Sequence, residues 1–502
     1  MTLRGHTRWI AAVSRRPACQ YLLWLSVLTP VALVLCMFSL QIVHVNFMLD
    51  GMPTYIAGKV WQRGFPEAVY CAPPAIPPHP EWLAELARHR LPLLKATYTY
   101  SPTYLALWSP LIRLVELRTF FWIFGTLGTA AALVIGYESM RIAGVRGVAT
   151  RWLGGLIVAT SVPAAMAYVF GQNITHTGAL ALWAFRCLAN GQAHGARFPN
   201  TTSVVGLVLL QCVFAFKPWA VLLLGVFVAA RQTKHLIVSS LCFLAVHVLI
   251  PALATPELLS GHLAVLRVYS QVALVAFNNH SLRALLHRLA DPDWPGRAAY
   301  WDPVPQLDPS LGRIELAAVI AIAALFVAIA ALRKPRFEIV GGAAMALLLL
   351  PLGIVWTYYL ILQAPVLTVA LLHAGSPLAL RVAAGAVALW SVRGLWIHVP
   401  LLYIQEHAVL SALVIGAPLL LGGVVAVSLV WQRPPAAKPA PSPSSPNEAG
   451  APASSPTIAR PQSRPRTQHG RRDPNPDPAR GARCPGSDIR HRPRNRPSQS
   501  CS

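Results

Sequence analysis

The sequence predicts an all-α polytopic membrane protein, a bundle of about twelve transmembrane helices with two long extracytoplasmic loops. Of the 502 residues, 55% are hydrophobic and only 12% are charged, whereas about 25% are charged in ordinary soluble proteins. Apolar stretches recur along the chain, and the basic residues concentrate in the short segments between them and in the tail. This placement makes the net charge of +24 typical of membrane topology and attraction to anionic lipids, not of nucleic-acid binding.

The first predicted crossing is residues 21–45, which contain no Asp, Glu, Lys or Arg. Twenty-five residues rising about 1.5 Å each are enough to cross a hydrocarbon layer roughly 30 Å thick. Four arginines precede the segment and place residues 1–20 in the cytoplasm, so Asp50 is expected at the outer rim. We expect no cleavable signal peptide, because the segment is long and lacks a small-residue cleavage pattern before Asp50.

The remaining crossings follow from the same pattern of apolar stretches and basic turns. They are residues 119–139, 152–170, 175–189, 202–216, 219–230, 235–252, 313–332, 339–355, 359–373, 382–398 and 408–431. Arg or Lys stands in every predicted cytoplasmic turn, whereas the short outer turns at 171–174, 356–358 and 399–407 contain neither. This alternation places both termini in the cytoplasm. The expected location is a bacterial-type inner membrane.

Residues 21–431 form the predicted transmembrane domain, and two outer loops within it, 46–118 and 255–312, are too long to be simple connectors. Residues 81–90 have helical composition, and residues 102–118 are typical of a helix at the interface. The second loop contains an amphipathic stretch at 262–275. The tail, 432–502, is rich in Pro, Ser and Arg and is predicted to be a disordered, solvated cytoplasmic extension.

Asp50 is the first candidate for chemistry, because it is the first acid of the chain and stands at a membrane edge. A carboxylate there can accept a proton from a sugar hydroxyl as that hydroxyl attacks an anomeric carbon. The alternative is an acid at a helix end that faces water or pairs with Lys59 or Arg63.

Lys217 is the second candidate, because Lys217-Pro218 interrupts a long apolar stretch that must turn back at its far end. An ammonium at that depth needs a partner, and a phosphate that leaves from a sugar is a suitable one. The alternative is a lysine that extends to the interface.

Polar residues in the outer turns are candidates for binding sugar hydroxyls. Gln172 and Asn173 fill one short turn, with His176 just inside, and Asn279 and His280 lie in the second loop. Amides also cap helices, and the two histidines fit structural roles as well. No metal site is predicted, since the nearest approach to a DxD motif in the outer loops, Asp291 and Asp293, straddles Pro292 as in a turn, and the cysteines have no metal-site spacing. Nucleotide-binding and serine-hydrolase motifs are lacking too.

Taken in order, these pieces resemble glycosyltransferase family 87 over about residues 20–430. The resemblance is carried by Asp50, Tyr55, Gly58, Gly64, Tyr70, Tyr100-Ser101-Pro102, Leu107 to Pro110, Gly171-Gln172-Asn173, Lys217-Pro218, Asn279-His280-Ser281-Leu282, Trp356-Thr357-Tyr358-Tyr359 and Pro365. The chain departs from the family pattern in having Ser101 where Pro is frequent and Tyr358 or Tyr359 where His is common. The first loop also contains an insertion at 72–80, so acceptor specificity is not carried over.

The resemblance implies a GT-C type enzyme that takes sugar, chiefly mannose, from a polyprenyl-phosphate co-substrate and needs no other cofactor. Asp50 is then the expected base and Lys217 the donor-phosphate ligand. The residues expected around the substrate cavity are Tyr55, Tyr100, Gln172, Asn173, His176, Asn279, His280 and Tyr358. The expected partners are the lipid-linked donor, a glycan or glycolipid acceptor of the cell envelope and membrane lipids, without nucleic acid.

Three alternatives stay open at this point. A transporter or lipid flippase also has about twelve crossings, broken helices and an intramembrane lysine, although no internal repeat is visible here. A GT-C enzyme with another lipid-linked sugar, such as arabinofuranose, fits the same residues, and so does a non-catalytic membrane scaffold.

Overall fold

The computed structural model describes residues 51–71, 76–91, 98–193, 200–271, 273–276, 278–291, 293–295, 309–373, 375–394 and 407–432. These residues lie within one compact unit, Met1–Ala436. The predicted first crossing, Asp50 and residues 433–502 of the predicted disordered tail fall outside the described residues. Within them the regular structure is helical and no β-strand forms, as the all-α prediction requires.

Three α-helices occupy the described part of the first predicted loop: α1 (Gly51–Gln62), α2 (Pro80–Arg88) and α3 (Pro102–Leu114). The predicted helices at 81–90 and 102–118 overlap α2 and α3, although α3 ends at Leu114, four residues earlier than predicted. The start of α3 follows from its sequence, since the Ser101 hydroxyl accepts a hydrogen bond from the Tyr104 amide at 3.1 Å and Pro102 occupies the first helical position. These helices enclose a largely aromatic core that includes Tyr55, Tyr104 and Phe120.

The next seven helices carry the chain through the predicted crossings to the second loop. They are α4 (Leu117–Ile142), α5 (Val148–Ala159), α6 (Val162–Phe170), α7 (Ile174–Ala193), α8 (Thr201–Phe216), α9 (Pro218–Ala229) and α10 (Thr233–Ala254). The first half of α9 has 3-10 geometry, and α10 contains a π-helical segment at Leu244–Leu249.

The second loop contributes α11 (Pro256–Ser270) and α12 (Leu282–Ala290), and five helices complete the described chain. These are α13 (Pro309–Arg333), α14 (Phe337–Leu347), α15 (Thr357–Leu372), α16 (Leu378–Val392) and α17 (Ala408–Trp431). Each predicted crossing after the first overlaps one of these helices or the α5–α6 pair. Helix α14 ends earlier than predicted, because residues 348–351 form turns.

Four of the described helices, α4, α10, α13 and α17, are long and apolar enough to cross a membrane, and α5 with α6, bent by 58°, forms a fifth candidate. Large apolar side chains lie exposed on several of them, including Leu253 at 86% and Leu332 at 75%, as lipid-facing positions require. The protein is therefore an all-α membrane protein. The number of crossings and the outer location of the two loops stay predictions.

Close helix contacts in the bundle depend on small residues. A Cβ atom on Gly136 of α4 would collide with the Gly154 carbonyl and lie 2.7 Å from the Gly155 Cα atom of α5. Only glycine, whose side chain is a single hydrogen atom, permits this approach. Small residues at helix contacts are the usual means by which membrane helices pack closely.

A network of ion pairs joins the C-terminal end of α4 to its neighbours. Glu138, which is 1% exposed, pairs with Arg141 at 2.5 Å and with Arg186 of α7 at 2.7 Å. Arg141 also reaches Glu338 of α14, which in turn pairs with Arg336 at 2.8 Å. This network marks one end of α4, about 39 Å from the other at 1.5 Å per residue.

Candidate functional site

Lys217 lies at the break between α8 and α9. Pro218 cannot donate the next helical hydrogen bond and disfavours helical geometry at the residue before it. Lys217 accordingly has extended backbone geometry, with φ −142° and ψ 96°, and a tight 3-10 segment follows. The predicted turn is therefore present, and the lysine side chain is only 5% exposed.

The Lys217 ammonium is surrounded by polar and aromatic groups from three other segments. Its Nζ donates to Gln172 Oε1 at 3.4 Å and to the Tyr359 hydroxyl at 3.3 Å. It lies 4.7 Å from the centre of the Tyr100 ring and 5.3 Å from that of Tyr359, within the range of cation–π attraction. We call Tyr100, Gln172, Lys217 and Tyr359 the lysine cluster.

The short turn between α6 and α7 positions two of the predicted residues against this cluster. Gly171 ends α6 with φ +62°, a left-handed conformation that glycine adopts without strain. The chain then turns so that Gln172 Oε1 also accepts from the Tyr100 hydroxyl at 3.3 Å. Asn173 turns toward α8 instead, where its Nδ2 donates to the Phe216 carbonyl at 3.1 Å.

The carbonyl groups at the end of α8 are thereby satisfied by side chains from elsewhere. Besides the Asn173 contact, the Ser101 hydroxyl donates to the Ala215 carbonyl at 2.9 Å. The last carbonyls of a helix have no partner within the helix. These two contacts therefore attach the first loop and the α6–α7 turn to the turn at Lys217-Pro218, which we call the lysine turn. The structure thus brings Tyr100, Gln172, Asn173 and Lys217 together, as the sequence predicted.

Tyr358 and Tyr359 take different positions at the start of α15. The Tyr358 ring packs on Phe170 at 6.1 Å between centroids, and it touches the Tyr359 ring at 5.0 Å. Tyr359 is the tyrosine that reaches the ammonium. Consecutive residues of a helical turn point in different directions, and the ammonium donates to Tyr359, the neighbour of Tyr358, which is the tyrosine named from the sequence. The predicted role of Tyr358 around the substrate cavity stays a prediction.

A second polar cluster lies behind Asn173 and was not anticipated from the sequence. The Tyr104 hydroxyl interacts with Asn173, Thr54 and Trp108, and burial raises the pKa of Tyr104 above its ordinary value. Tyr104, Asn173, Thr54 and Trp108 each carry a buried atom without a hydrogen-bond partner of normal geometry. Thr54 stands four residues after Asp50 in the sequence, so the chain that follows Asp50 approaches the lysine cluster.

His176 lies one turn into α7, between aromatic side chains. Its ring is 4.9 Å from Phe124 and 5.8 Å from Phe216 between centroids, and neither ring nitrogen has a hydrogen-bond partner. The residue is 8% exposed. His176 therefore contacts Phe216, the residue before Lys217. Its predicted role in binding substrate stays a prediction.

Asn279 and His280 form contacts that hold the second loop to the start of α15. The Asn279 side chain accepts from the Val355 amide at 2.8 Å and donates to the Leu274 carbonyl at 2.7 Å. His280 contacts the Ile415 carbonyl at 2.6 Å and the Thr357 hydroxyl at 3.3 Å, and burial lowers the pKa of His280 to about 3. These contacts favour a structural role for both residues; the predicted role in substrate binding stays a prediction.

Tyr55 of α1 belongs to the aromatic core of the first loop. Its hydroxyl donates to the Val115 carbonyl at 3.2 Å, and its ring lies 5.6 Å from that of Phe120. Burial, followed by the charges of Glu85 and Glu116, raises the pKa of Tyr55 to about 12. The tyrosine is therefore a neutral donor whose hydroxyl is already bonded to the backbone.

A cavity of about 140 Å³ opens beside the lysine cluster, between α4, α6 and α7. Its walls are mainly glycine and alanine, with Gln172 and Thr175 on one side and the rings of Phe124 and Tyr168 contributing as well. Across the described ranges, no three His, Cys, Asp or Glu side chains come together as a metal site would need.

Comparison with known proteins gives one family match. Residues 98–352, just over half of the chain, match the model of Glycosyltransferase family 87. Searches of curated proteins and of solved structures found no match. The matched range contains three members of the lysine cluster, Tyr100, Gln172 and Lys217, and also the Asn279-His280 segment. The fourth member, Tyr359, lies beyond its end.

Proposed function

The chain belongs to glycosyltransferase family 87, and from that premise we propose that this membrane glycosyltransferase uses a polyprenyl-phosphate sugar. Mannose is the proposed sugar, and the proposed acceptor is a glycan or glycolipid outside the inner membrane. Arabinofuranose on the same lipid phosphate is the alternative donor.

The lysine cluster carries the proposal. An ammonium that is 5% exposed and held by an amide oxygen and a phenol is suited to a phosphate that gains negative charge as its bond to the sugar breaks. Positive charge in a site shielded from water acts far more strongly than in bulk water. No nucleotide is required, because the leaving group is itself a phosphate monoester of the lipid.

The proposed reaction is a single displacement with inversion at the anomeric carbon. The acceptor oxygen attacks C1 of the sugar, its proton passes to the Asp50 carboxylate, and the bond from C1 to the phosphate oxygen breaks. Lys217 stabilises the polyprenyl phosphate that leaves. Tyr100 and Gln172 orient the ammonium, and Asn173 fixes the turn that presents Gln172.

The position of the cluster along α4 supports an outer-face site. Phe124, near the start of α4, contacts His176, which stacks on Phe216 beside Lys217. The Arg141 ion pairs lie at the other end of the same helix. If the basic turn that follows Arg141 is cytoplasmic, as the charge pattern predicts, the lysine cluster faces the opposite side of the membrane.

The test is transfer of label from polyprenyl-phosphate mannose in proteoliposomes that contain the purified protein and a membrane-extract acceptor. A glycosyltransferase moves label to the acceptor, a flippase moves intact lipid across the bilayer, and a scaffold does neither. The same assay with the arabinofuranose donor decides between the two sugars.

Asp50→Asn addresses the assigned base. We expect its turnover to fall at least about 100-fold, the lower range for loss of general base catalysis, with donor binding retained. Asp293→Asn is the matched control, because Asp293 is an exposed acid of the second predicted outer loop. Transfer by Asp50→Asn at the wild-type rate would exclude the proposed base.

A further inference from the structure

The cavity beside the lysine cluster is shaped for an apolar group attached to a phosphate. Gln172 belongs to both features, since it lines the cavity and its Oε1 lies 3.4 Å from the Lys217 ammonium. The ammonium and the cavity are therefore separated by a single side chain, that of Gln172. This inference rests on the proposed function and concerns the donor lipid.

The dimensions and the walls indicate the kind of group. A cavity of about 150 Å³ lined by apolar side chains binds a benzene-sized molecule, and this cavity measures about 140 Å³. A branched unit of five carbon atoms fills such a volume. The lining includes Gly125 and Gly128 of α4 and Ala164 and Ala167 of α6, and their small side chains leave this space open.

A second observation points to a ligand. Thr175 lines the cavity and is 2% exposed, yet its hydroxyl has no hydrogen-bond partner. A Cβ atom on Gly128 would lie 3.5 Å from this hydroxyl, which places the hydroxyl at the cavity wall. A buried hydroxyl without a partner is costly, and an ester oxygen at the end of a bound lipid chain would supply the missing acceptor.

We propose that the cavity receives the isoprene unit of the donor lipid that is bonded to the phosphate, and that Gly128 sets the width available to its methyl branch. The Thr175 hydroxyl donates to the oxygen that joins this unit to phosphorus. The cavity thereby selects a branched prenyl phosphate over a straight-chain alkyl phosphate before any sugar is transferred.

The test measures binding of farnesyl phosphate, dodecyl phosphate and inorganic phosphate to the full chain in nanodiscs. Gly128→Val narrows the cavity, and Gly128→Ala does so less. An added Cβ meets its nearest neighbours at ordinary contact distances of 3.4 and 3.5 Å, so Gly128→Ala is expected to fold, and retained binding of inorganic phosphate identifies folded Gly128→Val. Gly225→Ala is the control, because nothing lies within 4 Å of a Cβ atom there.

We expect Gly128→Val to weaken farnesyl phosphate binding roughly tenfold or more, the effect of steric change in an apolar pocket. Dodecyl phosphate and inorganic phosphate should change by less than about threefold, and Gly128→Ala should fall between wild type and Gly128→Val. Unchanged farnesyl phosphate affinity in Gly128→Val, or equal losses for farnesyl and dodecyl phosphate, would overturn the proposal.

Transfer of labelled sugar separates this inference from the proposed function. If the wild-type protein transfers sugar while the Gly128 variants bind farnesyl phosphate normally, the lipid subsite is wrong and the function stands. If binding depends on Gly128 but no sugar is transferred to any acceptor, the subsite stands and the proposed function is wrong.

Discussion

Replacement of Lys217 by methionine removes the ammonium and retains most of the apolar side chain. In the free protein two hydrogen bonds of the ammonium are long, 3.3 Å to Tyr359 and 3.4 Å to Gln172, against a usual 2.9–3.0 Å for N–H···O bonds. Their loss should cost little stability, because methionine also avoids the desolvation of a buried charge. The unfolding temperature of Lys217→Met should therefore stay near that of wild type.

The cost should appear when donor is bound. A hydrogen bond to a charged group contributes about 1.5–3 kcal/mol, which corresponds to a loss of roughly 10- to 150-fold in kcat/KM for the polyprenyl-phosphate sugar. The inhibition constant of free polyprenyl phosphate should rise in parallel, since the product carries the same phosphate. Lys217→Arg keeps the charge and should lose less than Lys217→Met.

Initial rates measured against donor concentration in detergent provide the assay. Lys59→Met is the matched control, because Lys59 also lies over a tyrosine ring, at 5.2 Å from the centre of Tyr55, but belongs to α1. A kcat/KM for Lys217→Met within about threefold of wild type, with unchanged product inhibition, would refute the role of Lys217 as the phosphate ligand.

Three other substitutions test separate parts of the structure. Tyr359→Phe removes the hydroxyl that accepts from Lys217 and should lower kcat/KM by roughly 2- to 10-fold, whereas an unchanged value would remove Tyr359 from the site. Gly136→Ala should destabilise the protein by about 1–3 kcal/mol in thermal unfolding, because its methyl group collides with α5; Gly225→Ala should not. His280 has a folded-state pKa of about 3 against about 6.5 when unfolded, so its stabilising contribution is complete above pH 6.5 and is lost toward pH 3. Acidification from pH 7 to 5 should lower the free energy of unfolding by about 2 kcal/mol through this residue. The free energy of unfolding of His280→Gln, measured at both pH values, should fall by about 2 kcal/mol less than that of wild type.

The agreement between predicted and observed helices has a simple cause. In a membrane, backbone groups must be satisfied within each segment, so long apolar stretches form helices whatever they pack against. The break at Lys217-Pro218 was predictable for the same local reason, since proline interrupts the hydrogen-bond ladder. The early end of α14 was missed although Pro351 gives the same signal, because the apolar stretch continues on both sides of that proline.

The residues of the candidate site likewise fall into two groups, those predicted from the sequence and those found only in the structure. Tyr100, Gln172, Asn173 and Lys217 were predicted from their order along the chain, and they meet. Tyr359, Thr54 and Tyr104 joined the site only in the structure, because they come from segments whose relative rotation no local pattern specifies. Asn279 and His280 have residue types that suit sugar binding, but their contacts to Val355, Thr357 and Ile415 serve the packing of the second loop.

The sequence by itself determined the membrane class, the helical segments, the lysine turn and the family of this protein, because apolar length, proline and the order of motifs are properties of the chain alone. The tertiary structure decided that the ammonium contacts Tyr359, the neighbour of the tyrosine named from the sequence. It also decided that Gln172 borders both the ammonium and a cavity, and that Gly128 and Thr175 line that cavity. These features depend on how helices distant in sequence rotate and approach one another, and that is settled by the packing of many side chains at once.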